Sequence, residues 1–164
     1  MEMKLGQDEM RSRFERERSV RMGTVDARGG AHLVPVIFVV DGDVLYSPTD
    51  RPKNGNPRPK RLRNLDHDQR VTVLADLYDD DWLKAWWVRL RGTGRVVGES
   101  PERTHALGLI DRKYAQFDGD RYLRDGGPVL AVDIKDWLGW AFSDLPAEPD
   151  RPRPRRERWW RRSR

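Results

Sequence analysis

The chain has 164 residues, 36% charged and 37% apolar, with no cysteine and a formal net charge of +5. That length suits one domain with a single core. The missing cysteine excludes disulfides and thiolate metal sites, and no stretch approaches the roughly 18 apolar residues of a membrane span. The charge is local. Pro146 to Arg164 holds eight arginines and three acids (8 − 3 = +5), and the rest balances at 32 − 8 = 24 basic and 27 − 3 = 24 acidic residues. The reading is a folded unit over 1–145 and a basic, Pro/Arg-rich, disordered tail over 146–164. Met1 to Arg18 lacks the apolar core of a signal peptide, so a cytoplasmic location is expected, with no membrane association.

In chain order, residues 5–18 suggest a charged helix with Leu5, Met10 and Phe14 on a thin apolar stripe. Residues 19–27 and 31–40 read as a hairpin turned by Asp26-Ala27-Arg28-Gly29-Gly30. A third strand, 44–47, follows the Asp41-Gly42-Asp43 turn. Thr49 to Pro59 is a proline-rich loop, and 60–68 has helical spacing. Strand 70–77 alternates cleanly, with Val71, Val73 and Ala75 on one face and Thr72, Leu74 and Asp76 on the other. After an acidic turn, a long strand over 86–97 places Trp86, Val88, Leu90 and Val96 together, and Gly92 and Gly94 allow it to bend. Ser100 caps a helix with Pro101 at its first position, burying Ala106, Leu107 and Ile110. The last strand is 128–142, with a break expected near Asp136 to Gly139. Short antiparallel connections favour a small barrel with two or three helices.

Three constellations carry chemistry. The run Leu33 to Val40 is apolar on both faces and contains Pro35, which removes a ladder donor. It is either a central strand between core and helix, or a barrel strand with a cofactor or partner outside. Thr49, Lys53, Lys60, Arg61, Arg63 and Asn64 gather donors and positive charge, as a phosphate requires; the bland reading is a solvated basic face. Trp86 and Trp87 cannot both point inward from a strand, so one needs cover, from a second copy or from a helix.

Other signals are set aside. Gly92-Thr93-Gly94 lacks the third glycine and the βαβ setting of a dinucleotide site. His32, His67 and His105 have no ligand spacing, so no metal site is expected. The tail, with Trp159-Trp160, is read as a solvated end and not as a nucleic-acid surface.

The pieces Gly23-Thr24-Val25-Asp26, Ala31-His32-Leu33-Val34-Pro35-Val36, Arg61-Leu62-Arg63-Asn64-Leu65 and Arg70-Val71 stand in an order that resembles one known family. Tyr78-Asp79-Asp80-Asp81-Trp82, Trp86-Trp87-Val88-Arg89 and Ala131-Val132-Asp133 with Trp137 and Gly139-Trp140 continue it. The family is the pyridoxamine 5′-phosphate oxidase-like split barrels, and in particular the oxidoreductases that use the deazaflavin coenzyme F-420. The resemblance covers about residues 13–142. It implies a mainly β (α+β) fold, a six-stranded antiparallel split β-barrel of the FMN-binding, Greek-key type.

It also implies a homodimer, coenzyme F-420 or FMN as cofactor, and hydride transfer to an unsaturated or conjugated small molecule. The alternative is a non-catalytic FMN- or haem-binding dimer. By the same resemblance, the ring lies against Val34, Pro35, Val36 and Ile37. The phosphate arm meets Thr49, Asp50, Lys53, Lys60, Arg61 and Asn64, and Trp87 and Trp140 are further cofactor candidates from the fifth strand and the C-terminal segment. No acid–base dyad is implied, because the cofactor carries the chemistry.

Overall fold

The expected hairpin forms as β2 (Val20–Val25) and β3 (Ala31–Val36) in the computed structural model, which describes residues 3–51, 58–117 and 121–143. Its turn is built by Asp26 and Gly29. Asp26 Oδ1 accepts from the Arg28 and Gly30 amides at 3.0 and 2.8 Å, while Gly29 takes φ 81°, which suits glycine. On β2 the buried residues are Val20, Met22 and Thr24, every second position.

The other strands are β1 (Met3–Lys4), β4 (Val39–Asp41), β5 (Val44–Asp50), β6 (Arg70–Leu77), β7 (Trp86–Val97) and β8 (Gly126–Ala141). They form one antiparallel sheet in the order β3-β2-β6-β7-β8-β5-β4, with β1 added beside the end of β8. The two ends of that path, β3 and β4, are consecutive in the chain but share no ladder, so the barrel stays split along this seam.

The sheet has eight strands where six were expected. Strand 31–40 divides at Ile37 and Phe38. There the Phe38 amide donates to the Tyr114 hydroxyl at 3.0 Å, and the Phe38 carbonyl lies 3.0 Å from the same oxygen. The hydroxyl thus accepts from the buried Phe38 amide where the strand ends, and its one proton is shared between the Phe38 and Arg18 carbonyls, both at 3.0 Å. β1 is the second addition, pairing Lys4 with Trp140.

Two boundaries also differ. β5 runs to Asp50, so Thr49 and Asp50 belong to a strand and not to a loop. β8 is unbroken through 136–139 and instead carries a bulge, with Lys135 unpaired between the Arg91–Asp136 and Gly92–Ile134 pairs. Gly92 is required there, since a Cβ would lie 2.3 Å from the Asp133 carbonyl oxygen.

Four α-helices are present among the described residues: α1 (Gln7–Arg16), α2 (Lys60–Asn64), α3 (Pro101–Lys113) and α4 (Arg121–Asp125). The thin stripe of α1 suffices because it enters the barrel. Phe14 is fully buried, with its ring edge-on to Phe38 at 5.1 Å and to Trp137 at 5.3 Å. Ser100 caps α3 by accepting from the Arg103 amide at 3.2 Å. α4 is capped at long range, as the Asp111 carboxylate accepts from the Tyr122 and Leu123 amides at 3.0 and 2.9 Å.

The main core fills the barrel with Phe14, Met22, Phe38, Val73, Val88 and Leu90 among others, and a smaller one lies under α3 around Leu107 and Val129. Among the described residues no helix is long and apolar enough to cross a membrane, and no three potential metal-ligating side chains come together. Lys53 and the tail 146–164 lie outside the described residues.

Candidate functional site

The short helix α2 positions three of the candidate residues, Lys60, Arg61 and Asn64. It is seated by Leu62 and Leu65, both buried in the main core. Gly94 makes the room. A Cβ there would stand 2.7 Å from Leu65 Cδ2 and 2.6 Å from Val71 Cγ2, so only a residue without a side chain lets the helix approach β7 this closely.

From this seat the polar side chains of α2 diverge. Lys60 Nζ pairs with Asp26 Oδ2 at 3.1 Å on the β2–β3 turn. Asn64 is buried and donates from Nδ2 to Thr24 Oγ1 at 2.8 Å, and that oxygen lies 3.5 Å from His32 Nδ1. Arg61 turns toward the end of β5, where its guanidinium donates to the Pro48 carbonyl at 3.4 Å. Its Nε is buried without a hydrogen-bond partner among the described residues.

The electrostatics follow from this layout. Asp26 is held below the usual carboxylate range, first by the Gly30 amide and then by Lys60. Burial holds the His32 imidazole below its usual value, and the charges of Lys60 and Arg61 push the same way, so the ring is neutral near neutral pH. Burial also lowers the Arg61 pKa, partly offset by the carboxylate of Asp50. A cleft of about 450 Å³ lies between the β2–β3 turn and α2, lined by Arg28, Lys60, Arg63 and His67 together with Asp26 and Asp66.

The remaining candidates sort into three groups. Thr49 is buried and its hydroxyl donates to the Pro128 carbonyl at 2.5 Å, so its proton is already in use. Asp50 is exposed and lies 3.6 Å from Arg121. Val34 and Val36 face the core, Val36 within it and Val34 packed against it. They therefore offer no wall to an external ring. The residues that do face outward on β3 are Leu33, 67% exposed, and Pro35. Ile37 is half-buried at the break between β3 and β4. Among the described residues β3 pairs only with β2, so its other edge has no strand partner there.

Trp87 and Trp140 are cross-strand neighbours, both half-buried on the outer face. Within one chain they are not part of the α2 group. Trp87 pairs with Asp76, whereas Thr24 pairs with Val71, five residues along β6. That is roughly 17 Å of strand.

The sequence reading did not select Thr24, Asp26 or His32. The signal for His32 was its two-residue spacing from Val34, which puts it on the inner face. Its partners Thr24 and Asn64 are fixed only by pairing across the sheet.

The arrangement can do one thing well. The half-buried Arg61 guanidinium, with an N–H that has no partner among the described residues, fits a small oxyanion, while Lys60 turns to Asp26. The adjacent strand edge offers backbone donors and acceptors to a planar, polar ring.

Comparison with known proteins agrees with this architecture. A conserved hypothetical protein from Mycobacterium tuberculosis superposes with a TM-score of 0.67 and 17% identity, over 84% of this chain and 85% of that one. An FAD-binding protein from Mesorhizobium loti gives 0.60 and 16%, over 87% and 99%. HutZ, the heme storage protein from Vibrio cholerae, gives 0.63 and 16%, over 86% and 98%. At these identities the likeness is one of fold. No curated protein matches in sequence. The family described as pyridoxamine 5′-phosphate oxidase matches residues 7–141, nearly the whole described barrel, and the chain belongs to that family.

Proposed function

We propose that two copies of this chain bind a flavin-type cofactor, coenzyme F-420 in the first instance, and act as an oxidoreductase on an unsaturated or conjugated small molecule. The observation that carries the reading is Arg61. Its buried Nε has no partner, and leaving such a group unsatisfied costs about 1–3 kcal/mol. A phosphate oxygen at that position removes the cost and gains a charge-assisted bond. Lys60 and Arg61 both act on His32, whose lowered pKa registers their positive field.

When bound, the deazaflavin supplies the hydride. The chain supplies the rest. Arg61 anchors the anionic arm, and the free edge of β3 with Pro35 fixes the ring plane. A second copy over the outer sheet face excludes water. That face carries a row of paired residues, Pro35, Arg21, Leu74, Arg89 and Leu138, which supports the dimer reading. Trp87 and Trp140 lie on the same face and, in a dimer, come under the partner's cover.

The second reading is a dimer that holds FMN or haem without turnover. It is supported by the resemblance in fold to a heme storage protein and an FAD-binding protein. Equilibrium titration of the full chain with F-420, FMN and haem separates the two. The first reading requires F-420 to bind most tightly and its reduced form to be oxidised by acceptors such as conjugated enones. Tight binding of FMN or haem without F-420 binding removes it.

A further inference from the structure

The connection between β6 and β7 exposes an apolar and acidic surface. Tyr78, Trp82 and Leu83 are 60%, 61% and 51% exposed, and the Tyr78 and Trp82 rings stand edge to face at 6.3 Å. Phe142, also exposed, joins them, because its amide donates to the Ala85 carbonyl at 3.0 Å. Large exposed aromatics gathered in one place ordinarily have a partner. Three carboxylates interleave with them. Asp79 Oδ1 accepts from the Asp81 amide and Asp81 Oδ1 from the Leu83 amide, so both shape the turn. Asp80 stands exposed between them.

We infer that residues 151–164 of the same chain dock on this surface. Two observations name that occupant. The first is place. Ser143, the last described residue, donates from Oγ to the Leu83 carbonyl at 2.5 Å, so the described chain ends at this patch. Eight further residues at about 3.3 Å each let residue 151 lie anywhere on it. The second is charge. Residues 151–164 hold eight arginines and one glutamate, 8 − 1 = +7, together with Trp159 and Trp160. Arginine pairs with carboxylates and stacks on aromatic faces, and the patch offers both. Tethering raises the local concentration of the segment to the order of millimolar, so weak contacts suffice. The inference is independent of the cofactor reading.

Hydrogen exchange of the full chain tests it. The amides of 78–84 exchange at least about fivefold more slowly in the wild type than in Asp80→Lys or in a chain ending at residue 146. The protection weakens in high salt and is unchanged when the protein is diluted tenfold. Equal exchange in all three proteins overturns the inference. So does protection that falls on dilution, because a second copy is then the cover.

Discussion

Lys60 and Arg61 are adjacent on α2 yet serve different strands: Lys60 pairs with Asp26 at 3.1 Å, and Arg61 reaches the Pro48 carbonyl at 3.4 Å. A helix turns about 100° per residue, so neighbours on it diverge. Of these two, Arg61 retains a buried donor without a partner among the described residues. Arg61→Gln therefore lowers affinity for a phosphate-bearing cofactor about tenfold or more, the loss of one charge-assisted bond of about 1.5–3 kcal/mol. Lys60→Gln has a smaller effect on affinity and mainly frees Asp26. Titration calorimetry of both variants with the cofactor that the wild type binds gives the comparison, and equal losses would contradict the division.

Asn64 and Thr24 tie α2 to β2 across 40 residues of sequence through a buried bond of 2.8 Å. Asn64→Ala leaves the Thr24 hydroxyl in a site only 2% exposed, with the His32 ring nitrogen at 3.5 Å as its remaining neighbour. The expected loss is about 1–3 kcal/mol. Urea denaturation of Asn64→Ala, Thr24→Val and the double variant measures it. Coupling between the two sites marks the bond, and additive effects would mean that it contributes nothing.

The sequence made some of this legible, and the reason is physical. β2, β6 and β7 alternate because one face is core and the other is not, and alternation is visible in a string of letters. Ser100 and Pro101 announce α3 for the same local reason. The run 31–40 has no alternation, so nothing in it marks the break at Phe38. The cause is the Tyr114 hydroxyl, 76 residues away. α4 depends on Asp111, a cap from another helix. At the site, the basic run was visible but its sorting was not. Residue types made Lys60, Arg61 and Asn64 candidates for an anion, but Asn64 is spent on Thr24. The directions they take are set by Gly94 and by the pairing of β2 with β6. Val34 and Val36 show the converse error, since an apolar strand was read as a wall when its even positions were simply core.

Lys113 gives the fold a pH dependence. Its ammonium lies 3.7 Å from the centre of the Phe38 ring and donates to the Glu15 carbonyl at 3.0 Å. Burial pushes its pKa down to about 8, and the charge of Arg18 acts in the same direction. The unfolded chain keeps the ordinary value of 10.5. Between those two values the unfolded state binds more protons, so stability rises with pH across the window and is flat below it. The 2.5 units correspond to about 3 kcal/mol, and partial solvent screening reduces this to about 1–2 kcal/mol. Burial raises the Tyr114 pKa, which opposes the trend once tyrosine begins to ionise near pH 10. Denaturation between about pH 7 and 9.5 shows the rise, and Lys113→Met removes it. A wild-type profile that falls over that range would reverse the assignment.

The dimer proposed above places its interface on the outer sheet face. Leu33 is 67% exposed on β3 and stands opposite Gly23, with Thr72, Arg91 and Asp136 continuing the row. Next to it runs the row of Leu74, Arg89 and Leu138, where Arg89 Nε is buried without a partner. The charges set among these apolar side chains are already paired, Arg21 with Asp76 at 3.4 Å and Arg91 with Asp136 at 3.1 Å. An apolar centre of Leu33, Leu74 and Leu138 among paired charges suits a protein interface. Leu33→Asp places an unpaired charge in that centre at little cost to the monomer, because the side chain is solvent-exposed before association. Sedimentation should show the variant dissociating at concentrations about tenfold or more above those tolerated by the wild type. If the ring is held between two copies, cofactor affinity must fall with the dimer. A Leu33→Asp monomer that binds as tightly as the wild type would place the whole pocket within one chain.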